Sequence, residues 1–125
     1  MNETILVTGA GGFIGGHLVG KLLQDGYGVR AVDKKPQWQW YQRFLPAENL
    51  TLTLEEKDAC LTVVKGCDRV YTLAADMGGM GFVELNKGLC MLNVLINTQM
   101  LMAARAWGVT RFFYSSSACV YADFK

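Results

Sequence analysis

The chain has 125 residues, of which 51% are hydrophobic and 18% charged, and its formal net charge is +1. That length carries one domain with a real core, and that composition is globular, not disordered. Charges of both signs are interspersed without a basic stripe or a like-charged tail, which argues against nucleic acid as a partner.

The N-terminus, Met1-Asn2-Glu3-Thr4, lacks the basic region of a secretion signal. Thr4 to Thr8 is a short β-rich run that ends at glycines and reads as a buried strand. Phe13 to Gln24 carries Phe13, Ile14, Leu18 and Leu22 at helical spacing, and Gly26 follows as a stop. Val29 to Asp33 reads as a second strand. Lys34 to Glu48 is irregular, a loop with room for a short helix. Its Trp38, Trp40, Tyr41 and Phe44 either cover the adenine side of a bound dinucleotide or pack on the sheet edge. Asn49 to Leu54 is a third strand, and Glu55 to Lys65 a helix with acids in its first turn and Gly66 after it. Arg69 to Ala75 is a fourth strand. Val83 to Trp107 is a long helix closed by Gly108, and Thr110 to Ser115 a fifth strand. Strand and helix in alternation imply right-handed βαβ units and a parallel sheet covered on both faces.

The strongest local signal is Thr8-Gly9-Ala10-Gly11-Gly12-Phe13-Ile14-Gly15. Gly9, Gly12 and Gly15 form G-x-x-G-x-x-G between a strand and a helix. Glycines there permit a tight turn, let backbone N–H groups approach a pyrophosphate, and let helix and strand pack closely. The helix N-terminus then faces the phosphates with its partial positive charge. Asp33 follows about 20 residues later, at the end of the next strand, where a carboxylate accepts hydrogen bonds from the adenosine ribose. Its charge would repel the 2′-phosphate of NADP, so NAD is the expected cofactor; Lys34 and Lys35 pull weakly the other way. Away from the glycines, Asp33 would read as a surface carboxylate ending a strand. His17, two residues past the glycines, reads as a packing residue.

Cys60, Cys67, Cys90 and Cys119 form no C-x-x-C pair, and His17 is the one histidine, so no metal site is expected. Without a secretion signal they are expected as free thiols in a reducing cytoplasm, three of them as small core residues. Gly88 to Ala104 is uncharged. It is nevertheless shorter than the ~20 apolar residues of a membrane span and contains Asn93, Asn97, Thr98 and Gln99, so it reads as a buried helix and no membrane is expected.

Gly9 to Gly15 with Asp33 resembles the nucleotide fingerprint of extended short-chain dehydrogenases. Two further blocks are more specific: Leu73-Ala74-Ala75-Asp76-Met77-Gly78-Gly79-Met80-Gly81-Phe82, and Arg111-Phe112-Phe113-Tyr114-Ser115-Ser116-Ser117-Ala118-Cys119-Val120-Tyr121. Both look like the GDP-mannose 3,5-epimerase family. The resemblance runs over essentially the whole chain and is poorest from Lys34 to Glu56.

The resemblance implies a Rossmann-type doubly wound α/β domain over residues 1–125, with about five parallel strands present. It also implies NAD as cofactor and a nucleotide-sugar, GDP-mannose, as substrate. In such enzymes hydride leaves the sugar's C4, the resulting ketone acidifies C3 and C5, and acid–base groups remove and return those protons. By the same resemblance, Ser117 bonds the reacting hydroxyl and Cys119 is an acid–base thiol. Alone, they would read as a serine satisfying backbone and a buried thiol. Gly79, Met80 and Gly81 match a loop along the substrate, though glycines there also suit a simple turn. Leu73, Ala74 and Ala75, together with Phe13 and Ile14 beside the glycines, fall to the cofactor site, and Asn93 matches a brace.

Thr53 and Thr72 depart from the aspartate and asparagine usual in the family. By the resemblance, the family's Tyr-x-x-x-Lys motif lies further on than Lys125, so the chain is expected to be truncated before that motif, to lack the substrate domain, and alone to bind NAD at most. The longer protein is expected to be a cytoplasmic homodimer, with the helix near Asn93 a candidate interface. Two alternatives stay open: another nucleotide-sugar 4-epimerase, 4,6-dehydratase or reductase, and a non-catalytic dinucleotide-binding module.

Overall fold

A computed structural model describes residues 3–73 and 87–114. Five strands form one sheet: β1 (Thr4–Thr8), β2 (Gly28–Asp33), β3 (Glu48–Thr51), β4 (Arg69–Thr72) and β5 (Arg111–Tyr114). Their spatial order is β3-β2-β1-β4-β5, and every pairing is parallel. Among the described residues three helices accompany them, α1 (Phe13–Gln24), α2 (Lys57–Val64) and α3 (Lys87–Trp107), with a 3-10 turn at Gln37–Gln39.

The chain leaves β1 in one direction to build β2 and β3, then returns to the other side of β1 for β4 and β5. Crossovers of one hand that travel in opposite directions must run over opposite faces of the sheet. The two cores show this. On one face Ile5, Val7, Val29 and Ala31 pack under Val19 and Leu22 of α1. On the other, Leu6, Val32 and Val70 pack against Cys60, Val63 and Val64 of α2 and Met100 and Ala103 of α3. Ile5, Leu6 and Val7 are all fully buried, as a central parallel strand requires, at about 1.5–3 kcal/mol of hydrophobic stabilisation each.

The elements fall where the sequence places them, with different ends. β3 stops at Thr51, not Leu54, because the chain turns inward there and buries Leu54 against the α2 face. Glu55 and Glu56 precede α2, leaving Asp58 as the acid in its first turn. Ala74 and Ala75 at the expected end of β4, residues 83–86 at the expected start of α3, and Ser115 lie outside the described residues. Cys90 and Asn93 stand on α3, and their side chains also lie outside. Gly26 follows the Asp25 C-cap of α1, and its φ of +94° is a backbone conformation that side chains disfavour.

Sequence reasoning missed Arg30. From β2 its guanidinium donates to the carbonyls of Val63 at 2.6 Å and Lys65 at 2.8 Å, and to Glu48 at 2.9 Å. It thus satisfies the free C-terminal carbonyls of α2 and ties that helix and β3 to β2. Cys60 and Cys67 are buried free thiols, and burial pushes Cys60 up to about 11 and Cys67 upward as well. Among the described residues no helix is long and apolar enough to cross a membrane, and no group of three metal-ligating side chains occurs.

Candidate functional site

Parallel pairing aligns the carboxyl ends of the strands along one edge. Thr8 pairs with both Val32 and Thr72, and Asp33 with Thr51. The direction of winding reverses between β1 and β4, the point at which open parallel sheets of this kind bind their ligands. The glycine loop leaves β1 at this point. Leu73 follows β4 at the same edge, its N–H donating to the Thr8 carbonyl at 3.2 Å.

Each glycine of the motif has a distinct physical reason. Gly9 has a φ of +74°, which reverses the chain directly after β1. Gly15 packs its Cα on the loop: a Cβ there would meet the Gly9 carbonyl and come within 2.9 Å of Ala10 Cα. Gly12 is different, since a Cβ would meet only the Gly9 oxygen at 3.5 Å, an ordinary contact. Among the described residues nothing in the packing requires glycine at position 12, which fits a residue kept small for a ligand.

Gly12 is also the N-cap of α1. It makes no side-chain cap, and the first turn of the helix has no acid. The first intrahelical bond runs from the Gly16 N–H to the Gly12 carbonyl at 2.9 Å. The N–H groups of Phe13, Ile14 and Gly15 therefore have no acceptor within the helix and lie at its positive end, an arrangement suited to an anion. The Phe13 and Ile14 side chains are 59% and 71% exposed, so their backbones are what they bring to the loop.

Asp33 reaches this loop. Its Oδ2 accepts from the Gly11 N–H at 2.9 Å and its Oδ1 from the Lys35 N–H at 3.0 Å. A carboxylate has about four lone-pair positions, so one remains on each oxygen, the number a ribose diol needs. The structure therefore brings Gly9, Gly12, Phe13, Ile14, Gly15, Asp33 and Leu73 to one edge, and the chemistry of this donor and acceptor set fits a dinucleotide. Ala74, Ala75, Gly79, Met80, Gly81, Ser117 and Cys119 lie outside the described residues.

Gly11, which the glycine spacing passes over, belongs to the site too. A Cβ there would lie 2.7 Å from Trp40 Cδ1 and 2.9 Å from Asp33 Oδ2. The loop aromatics thus divide. Trp40 and Phe44 join the core under α1, while Trp38 and Tyr41 are exposed. His17 is exposed on α1 with its ring edge-on to Phe13, centroids 4.5 Å apart. Thr53 accepts from the Glu55 N–H at 3.4 Å, ahead of α2. Thr72 is buried at the end of β4, and its hydroxyl has no hydrogen-bond partner among the described residues.

Strand order and glycine loop together define a Rossmann-type dinucleotide-binding fold. The chain belongs to the NAD dependent epimerase/dehydratase family, whose pattern matches residues 5–125. It is 46% identical over 122 residues to GDP-mannose 3,5-epimerase 1 of Oryza sativa subsp. japonica, covering 97% of this chain and 32% of the rice protein. It thus spans about a third of that relative's length. Among solved structures it resembles UDP-glucose 4-epimerase of Thermotoga maritima with UDP-glucose, with a TM-score of 0.79 and 28% identity over 91% of this chain and 38% of that one. A short-chain dehydrogenase/reductase superfamily protein of Agrobacterium tumefaciens with bound NAD matches with a TM-score of 0.76 and 30% identity, over 98% of this chain and 35% of that one.

Proposed function

We propose that this chain binds NAD at the glycine loop and Asp33. In a protein of its relatives' length, it serves the epimerisation of a nucleotide-sugar, GDP-mannose at C3 and C5 through a transient 4-keto sugar. The observation that carries the cofactor reading is the Asp33 carboxylate held against the glycine loop with a lone pair free on each oxygen. The substrate reading is supported by the 46% identity to the rice GDP-mannose 3,5-epimerase.

When bound, NAD supplies reversible acceptance of the C4 hydride. Among the described residues, the work of each follows from its place. The Phe13, Ile14 and Gly15 N–H groups neutralise the pyrophosphate at the start of α1. Asp33 takes the adenosine ribose and disfavours a 2′-phosphate. Leu73 meets the cofactor at the end of β4, and the family resemblance assigns Ala74 and Ala75 to the same site. It also assigns Gly79, Met80 and Gly81 to the sugar, Ser117 to its reacting hydroxyl, and the Cys119 thiol to proton exchange at carbon. The same reading makes the enzyme a homodimer and places it in the cytoplasm, where free thiols such as Cys60 and Cys67 persist.

Calorimetric titration tests the cofactor reading. NAD should bind more tightly than NADP, and Asp33→Ala should weaken NAD at least about tenfold by removing a charged hydrogen-bond acceptor. Equal affinity of the variant and the wild type would refute it. For the substrate, GDP-mannose turned over in D2O by a protein of the relatives' length should gain deuterium at C3 and C5. The likeness to UDP-glucose 4-epimerase favours a second reading: inversion at C4 with no deuterium at C3 or C5 would select it.

A further inference from the structure

The connection from β2 to β3 carries a tryptophan that is only 8% exposed, although its segment is irregular. The Trp40 indole N–H donates to the Lys35 carbonyl at 2.9 Å. Its ring edge fills the space beside Gly11 that a side chain would need. The next residue, Tyr41, donates its backbone N–H to the Gly11 carbonyl at 2.9 Å. Gly11 and Lys35 are also the two residues whose N–H groups hold the Asp33 carboxylate. The contacts close a ring: Asp33 to Gly11, Gly11 to Tyr41 and Trp40, Trp40 to Lys35, and Lys35 back to Asp33.

We propose that Trp40 is a positioning residue for the dinucleotide site, clasping the glycine loop and the turn after β2 so that Asp33 presents both oxygens to the adenosine ribose. This rests on reading the glycine loop as a dinucleotide site. The physical reason lies in the aspartate itself. Rotation about its terminal bond is soft, so the carboxylate direction is set by what it is bonded to. Two backbone N–H groups fix it only while their own segments are fixed relative to each other. Gly11 and Asp33 are 22 residues apart in the chain. The Ala10 N–H to the Val32 carbonyl at 3.1 Å ties the loop to β2 on one side, and Trp40 with Tyr41 ties it to the turn after β2 on the other. A site held in its bound geometry before the ligand arrives avoids the cost of ordering at binding.

A tryptophan that merely fills the core would also be buried, and two variants separate the roles. Trp40→Phe keeps a ring against Gly11 and loses the N–H to Lys35; Trp40→Ala loses both. In amide hydrogen exchange of the unliganded chain, the Gly11 N–H should exchange about tenfold faster in Trp40→Ala, while the Leu6 and Ala31 amides of the sheet stay protected. In titrations, NAD and AMP, which share the adenosine ribose, should weaken together, by about fivefold in Trp40→Phe and more in Trp40→Ala. If both variants bind NAD and AMP as tightly as the wild type, the positioning proposal is wrong and Trp40 is core filler. If the wild type binds neither nucleotide, the dinucleotide reading itself has failed and the proposal falls with it.

Discussion

Gly15 rests against Gly9 so closely that a Cβ on Gly15 would run into the Gly9 carbonyl, with the Gly9 carbon at 2.8 Å and the Ala10 Cα at 2.9 Å. All three atoms are backbone, so no rotamer change relieves the clash. Gly15→Ala must push α1 away from the end of β1. It should destabilise the chain by about 3 kcal/mol or more, read as a lower midpoint in urea. A midpoint close to the wild-type value would show that the helix and loop are not packed as described.

Gly12→Ala should behave in the opposite way. Its Cβ meets nothing nearer than 3.5 Å, so stability should stay within about 0.5 kcal/mol of wild type. NAD affinity should nevertheless fall at least about tenfold, because the methyl stands where the pyrophosphate approaches the loop. Calorimetry beside a thermal melt gives both numbers. Loss of stability with unchanged affinity would assign Gly12 to packing.

Arg30→Ala removes a guanidinium that binds two carbonyls at the end of α2 and the carboxylate of Glu48. Hydrogen bonds to charged groups contribute about 1.5–3 kcal/mol, so a loss of about 2 kcal/mol is expected in urea unfolding. Arg30→Lys should recover only part of it. A lysine ammonium is a point donor and cannot span both partners as the planar fork does.

The Cys60 thiol, pushed up to about 11 by burial, should resist alkylation. At pH 8 its thiolate fraction is about one in a thousand, roughly a hundredth of that of a thiol at the ordinary 9.0. Iodoacetamide labelling followed by peptide mass spectrometry should find Cys60 unmodified unless urea is added. The sign of the pH effect follows. The folded value lies above the unfolded one, so this contribution to stability is fully present below pH 9 and is lost as pH rises through about 11. Rapid labelling of the folded chain at pH 8 would contradict the burial.

The fold was legible because its signals are local. The run Ile5-Leu6-Val7 has no polar face and so reads as a strand covered on both sides, and Gly9, Gly12 and Gly15 mark a turn that few residues can make. Asp33 was found by counting from them. Ends were less legible: whether β3 continues past Thr51 depends on where Leu54 is buried, and that depends on α2 and α3.

The order of strands, the reversal of winding between β1 and β4, and the separate duties of the three glycines needed the assembled sheet. So did Gly11 and Trp40. Gly11 stands outside the glycine spacing, and Trp40 lies in an irregular segment without a motif. They matter through contacts with each other and with Asp33, brought together by strand pairing and not by sequence spacing. Residue type and periodicity dictate which groups a segment offers. Which of those groups meet depends on distances between segments that no local pattern encodes.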